Sequence, residues 1–222
     1  MSDLVEHENC TLADILADDY NREYDFLDNH LYQYKPQDKS ELIECIKDCL
    51  DKGIKNLNII DVSRITDLSH LFARIDTEGI DIKYWNVSNV VNFNCMCFGA
   101  SKFNSDISLW DVSKGEDFTA MFFGCDNFCQ DLSNWNMSNA RLLGFMFALC
   151  YNFNSDLSQW DVRNGENFSH MFAMCKSFTA NISNWKIDYT NEKLSSDCVK
   201  KMFVDCLNFK YEEKCLKNWG FY

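Results

Sequence analysis

Five tryptophans, Trp85, Trp110, Trp135, Trp160 and Trp185, follow one another at intervals of 25 residues without a slip. Other columns keep the same step: Phe103, Phe128, Phe153 and Phe178; Met96, Met121, Met146 and Met171; Cys125, Cys150 and Cys175. A fixed period of this length marks a repeat architecture, in which each unit buries its apolar face only against its neighbours.

The unit Asp106 to Gln130 reads DISLWDVSKGEDFTAMFFGCDNFCQ. Ile107, Trp110 and Val112 have the L-x-x-L-x-L spacing of a leucine-rich repeat, and Trp110 and Val112 share one face of an extended segment. The second half changes period. Phe118, Met121, Phe122 and Cys125 stand at i, i+3, i+4 and i+7, which predicts a helix of about two turns. The expected fold is therefore α/β: a leucine-rich-repeat-like solenoid with one short parallel strand and one short helix per 25-residue rung. Residues 59–74 match the unit with Ile60 in the tryptophan position, so they read as a degenerate first rung. At the other end Met202, Phe203 and Cys206 come six residues late, after an insertion in YTNEKLSS.

We expect a single domain over 1–222: an acidic helical N-terminal cap at 1–55, repeats at 56–188 and a helical C-terminal cap at 189–222. Asp38–Asp51 is the clearest helix, with Ser40 able to cap it, Leu42, Ile43, Ile46, Cys49 and Leu50 on its apolar side, and Gly53 suited to its end.

The unit resembles the 25-residue repeat of BspA-type leucine-rich-repeat proteins. FNSDISLWDVS at 103–113 and FNSDLSQWDVR at 153–163 carry the resemblance, and it covers residues 38–188. It implies a solenoid with a binding or structural role. Bacterial members of that family are surface-attached, and similar repeats occur in proteins of large DNA viruses and protists. This sequence departs from the surface members: its start, MSDLVEHENC, is not a secretory signal, no stretch is apolar enough to span a bilayer, and there are 12 cysteines. The usual Asn after the strand is replaced by Val90, Gly115, Ala140 and Gly165.

Net charge is −13, made of −8 over residues 1–55, −6 over 56–190 and +1 over 191–222. An acidic chain repels phosphate backbones and anionic lipid, so nucleic acid and membrane are poor partners and a protein partner of unknown identity is expected. The cysteines read as small buried hydrophobes in a reducing compartment, although stacked cysteines come close enough to raise the question of disulfides. No cysteine pair has the spacing of a zinc site, and His70 and His170, which share a repeat position, lie four rungs apart. Asp106, Asp131, Asp156 and Asn181 each stand two residues before a serine, the pattern of an Asx-turn at each corner; a calcium site there would lack its glycine signature. No nucleotide-binding, nucleophile-elbow or metalloprotease motif occurs. No catalytic, cofactor-binding or metal-binding residue is expected, and the chain does not read as an enzyme.

The tryptophans Trp85, Trp110, Trp135, Trp160 and Trp185 form the expected structural core. The candidate partner surface is the polar column on the outer side of the supposed strand: Asn86, Ser88, Asp111, Ser113, Asn136, Ser138, Asp161, Arg163 and Lys186. The function expected is a non-catalytic scaffold that mediates protein–protein interaction or forms part of a larger assembly, in the cytoplasm or in a virus particle. The alternative is a surface or secreted adhesin that contacts host molecules.

Overall fold

The computed structural model describes residues 32–188 and 190–221. Tyr34–Tyr222 form one compact unit. The expectations placed on residues 1–31 lie outside the described residues.

The helix read at 38–51 forms as α1, Lys39–Asp51. Its N-cap is Asp38, whose carboxylate accepts from Glu41 N at 3.0 Å, so Ser40 sits inside the first turn and does not cap. Leu42, Ile46 and Cys49 are buried against the first rung. Gly53 (φ 74) follows the helix, its N–H bonded to Leu50 O at 2.9 Å. At the other end lie two short helices, α2 (Ser196–Lys200) and α3 (Glu212–Asn218).

Between them the chain does not build the expected α/β leucine-rich-repeat solenoid. Among the described residues there is no strand of regular sheet, only isolated parallel bridges, and no helix interrupts the repeats between the 3₁₀ turn Leu57–Ile59 and α2. Each rung is a succession of tight turns. The bridges join Asp67 to Asn92, Asn92 to Asp117, Asp117 to Leu142 and Leu142 to Asn167, so successive rungs do stack in a 25-residue register.

Hydrogen bonding explains why the helix fails. In an α-helix every amide would bond the carbonyl four residues earlier. Here Phe118, Ala120, Phe122 and Gly124 donate instead to Leu142, Gly144, Met146 and Ala148 of the next rung, at 2.8–2.9 Å. The amides between them, of Met121, Phe123 and Cys125, close i→i−3 turns at 3.0–3.2 Å. Two residues per rung take left-handed backbone. One column is His70, Cys95, Ala120, Phe145 and His170; the other is Arg74, Gly99, Gly124, Leu149 and Met174. A left-handed residue every fourth position breaks a helix while leaving apolar side chains at the spacing that helices use.

The supposed strand fails for the converse reason. Trp110 and Val112 are buried and Asp111 is exposed, so the alternation is real. Turns close immediately on either side, however, through Trp110 N to Ile107 O (3.2 Å) and Gly115 N to Val112 O (2.8 Å). Between rungs this half is joined by side chains. Each indole Nε1–H of Trp85, Trp110, Trp135, Trp160 and Trp185 donates to a carbonyl 28 residues earlier, at 2.7–3.2 Å. Asn139 and Asn164 donate their carboxamides to carbonyls 26 residues earlier, Ser113 O and Ser138 O, both at 2.7 Å. The half that reads as helix thus carries the backbone ladder, and the half that reads as strand is tied by side chains.

The core is built of files of stacked rings. Trp85 lies over Trp110, Trp135 over Trp160 and Trp160 over Trp185, at 6.3–6.5 Å and within 5° of parallel. A parallel file of Phe103, Phe128, Phe153 and Phe178 stacks at 5.8–6.3 Å. Offset stacking of this kind adds roughly 0.5–1.5 kcal/mol per pair beyond burial. Gly115 and Gly165 mark where the rings need room: a Cβ there would lie 2.3 Å from Phe118 Cζ and 2.1 Å from Phe168 Cζ. The rungs with Val90 and Ala140 at that position have an equally buried Phe93 and Leu143.

Candidate functional site

The nominated polar column lies on one side of the stack, and its side chains are largely engaged with their own backbone. Asn86 accepts from Ser88 N, Asp111 from Ser113 N, Asn136 from Ser138 N and Asp161 from Arg163 N, at 3.0–3.2 Å. These are Asx-turns, and a second file repeats them at Asp81, Asp106, Asp131, Asp156 and Asn181. A third runs through Asp67, Asn92, Asp117 and Asn167. Three turns of one chemistry thus bend most rungs. The N–H of Ser133 in the turn, aided by its hydroxyl, holds the Asp131 carboxyl below the usual carboxylate range.

Of the nominated residues, Ser138, Asp161, Arg163 and Lys186 are brought together along one shallow groove of about 580 Å³, with Asp188 beside them. Asn86, Ser88, Asp111, Ser113 and Asn136 do not line it. Within the groove Arg163 closes on Asp161 through Nη2 to Oδ2 at 2.6 Å, which lowers the Asp161 pKa and raises that of Arg163. On the neighbouring edge an ionic ladder climbs the rungs: Arg141 reaches Glu116 at 3.7 Å and Glu166 at 2.7 Å, and Lys193 reaches Glu166 at 3.1 Å. Hydrogen bonding from Arg141 is the main cause of the depressed Glu166 pKa.

The cysteine column is internal. Cys125, Cys150 and Cys175 are wholly buried, and their thiols donate to Cys97 O, Phe122 O and Phe147 O at 2.8–3.1 Å. Burial pushes all three thiols up, and that of Cys206 to about 12. The eleven described cysteines are all free thiols. Among the described residues no group of three or more His, Cys, Asp or Glu side chains is placed to hold a metal.

One surface feature escapes the sequence reading. Outside the core a second file of rings runs up the backbone-ladder side. The Arg74 guanidinium sits 5.4 Å over Phe98, Phe98 stacks on Phe123 at 4.7 Å, Phe123 meets Phe145 at 6.3 Å, and Phe145 stacks on His170 at 4.8 Å. Phe145 is 38% exposed, and Met174 and Val204 are 43% and 39% exposed. Arg74, Phe145, His170 and Met174 stand at the left-handed positions of their rungs. In a two-turn helix, residues such as Phe123 and Phe145 would simply have read as its outer flank. The available signal was an apolar residue at a position that the repeat leaves unconstrained.

A family described as "Mycoplasma protein of unknown function, DUF285" matches residues 40–147 and 116–219. Together the two segments span most of the sequence, so the chain belongs to that family. The match corrects the resemblance to BspA-type leucine-rich-repeat proteins, as the turn-built rungs correct the leucine-rich fold that it implied. No curated protein and no solved structure matches the chain. Among the described residues, no helix is long and apolar enough to cross a membrane.

Proposed function

We propose that this chain is a non-catalytic scaffold that binds a protein partner through the half-buried ring file Arg74–Phe98–Phe123–Phe145–His170, of whose rings Phe145 is exposed, and through the exposed Met174 and Val204. The observation that carries this reading is the continuity of the file. Four ring-bearing side chains, each within 6.3 Å of the next, line one surface instead of joining a core that is already complete. Contiguous apolar surface on a soluble protein marks a site of association, and aromatic and arginine side chains are the usual anchors of protein interfaces. The turn-rich polar column opposes this role less well as an anchor, because its acceptors already hold the turns. Eleven free thiols suit a reducing compartment, which favours work inside a cell or within a virus particle over work at an oxidising surface.

The test is co-purification of the tagged full chain from its native source. It compares wild type with Phe123→Ser/Phe145→Ser and with a polar-face variant, Asp111→Ala/Asn136→Ala. The expected result is one stoichiometric partner that the ring-file variant loses and the polar-face variant keeps. Retention of that partner by a folded ring-file variant would remove the basis of the proposal.

A further inference from the structure

The backbone ladder of the rungs ends on donors that no described residue fills. In each rung two amides, two residues apart, donate to carbonyls of the next, from Phe72 and Arg74 in the first to Phe172 and Met174 in the fifth, at 2.7–2.9 Å. The sixth rung continues the register. Its Met202 and Val204 carbonyls accept from Phe172 and Met174, its Phe203 ring stacks on Phe172 at 5.8 Å, and Asp205 keeps the left-handed backbone of its column (φ 56). Phe203 N–H and Asp205 N–H are therefore aimed as their counterparts are, along the stack and away from the fifth rung. Neither has an acceptor among the described residues.

The cap at this end reaches the other half of the rung. Trp219, at the end of α3, stacks on Trp185 at 6.3 Å in the place of a next tryptophan, and no described segment adds the ladder half that would go with it. The outer side of the edge is open: Val204, Asp205 and Leu207 are exposed, Leu207 to 80%. Leu207 stands where earlier rungs carry Asp126, Tyr151 and Lys176, so an apolar side chain reaches the surface two residues after an open amide. Backbone donors must be paired by protein or water, and an open ladder edge is a template for another segment. The ladder also defines what fits. Each filled edge holds the carbonyls of two residues two apart, the first a methionine, as in Met146 and Ala148 or Met171 and Ala173, with Phe147 or Phe172 between them.

We infer that this edge binds a segment of a partner protein with the chain's own ladder pattern, Met-Phe followed by a small or apolar residue, which docks as a further rung. Its methionine carbonyl accepts from Phe203 N–H, the carbonyl two residues on accepts from Asp205 N–H, and its far end packs on Leu207. The mode is that of strand addition to an open sheet edge, in which main-chain hydrogen bonds give affinity and side chains give specificity. The edge is separate from the ring file: its donors belong to other residues, and the two meet only at Val204.

The test uses the ¹⁵N-labelled full chain in reductant, with a synthetic peptide of residues 166–176, ENFSHMFAMCK, as the probe. In the free chain the amides of Phe203 and Asp205 should exchange with solvent at least about tenfold faster than the bonded amides of Phe172 and Met174. The peptide should shift both open signals saturably and slow their exchange, while a control peptide with serine in place of its Met-Phe pair does neither. Leu207→Asp should weaken binding about tenfold. Phe123→Ser/Phe145→Ser, which disables the ring file, should leave it unchanged; the indole signals of the rung tryptophans report that each variant is folded. Slow exchange at Phe203 and Asp205 in the free chain would mean that the edge is already closed, and the inference would fail. It would fail equally if the peptide gave no saturable shift, or if the folded ring-file variant lost the binding.

Discussion

Trp135 shows how much a single position holds. Its ring lies over Trp160 at 6.5 Å and touches Phe118 and Phe122 at 6.3 and 6.4 Å, while its N–H reaches Ile107 O at 3.0 Å. Replacing it with Ala hollows the middle of the stack and should cost about 3–5 kcal/mol in chemical denaturation. Trp135→Phe keeps a ring and loses the bond to Ile107 O, which Trp110 N still satisfies, so about 1–2 kcal/mol is expected. Near-equal losses for the two variants would mean that the hydrogen bond, not the ring, secures the rung. Gly165 gives the opposite case. It is not in the left-handed region, so its role is space alone. Gly165→Ala must displace the buried Phe168 and should cost roughly 1–3 kcal/mol, although alanine stands at the same repeat position in Ala140.

At the scale of the element, the repeat and its interior are legible in the sequence, while the conformation that delivers them is not. The tryptophan spacing places the core column and its register. The failure lies in Phe118, Met121, Phe122 and Cys125. Two successive four-residue turns put apolar side chains at i, i+3, i+4 and i+7 as a helix does, so periodicity cannot separate them. Composition carried the missing information. Gly99 and Gly124 recur at one repeat position inside the supposed helix, where a helix would disfavour them. Carboxylates and amides two residues before a backbone donor make turns in three files, of which the serine spacing in the sequence marks the one at Asp106, Asp131, Asp156 and Asn181. The ring file on the outer surface was not legible at all, because its rings come from two repeat columns and its arginine from a third, and they meet only once the turns are folded. Gly124→Ala tests the turn. Its φ is 69°, and the nearest atom to an added Cβ is Gly99 Cα at an ordinary 3.6 Å, so strain alone should cost about 1–2 kcal/mol. Gly124→Asn should cost less, since Asn tolerates that region better. Thermal unfolding of the pair reads the difference; an unchanged Gly124→Ala would deny the left-handed turn.

For the whole molecule the buried thiols set a limit on the alkaline side. Cys97, Cys125, Cys150 and Cys175 are buried and held protonated well above the ordinary thiol range, and Cys206 and Cys215 are raised to about 12, in each case chiefly by desolvation. A folded-state pKa raised above the unfolded value gives stability that is fully present below the unfolded pKa of about 8.5. As pH rises from there toward the folded values, the unfolded chain releases thiol protons that the folded chain keeps, and stability falls. Each such thiol removes about 1.4 kcal/mol per pH unit in that window. The cysteines act together because the rungs share one continuous core and none can open its column alone. In reductant, the free energy of unfolding should hold level from neutral pH up to the ordinary thiol pKa and then fall steeply. Alanine at Cys150 and Cys175 should flatten that fall while lowering the plateau. A profile that stays flat past the ordinary thiol range, or the same slope in the double variant, would place those sulfurs in contact with solvent and break the link between the column and the stability of the stack.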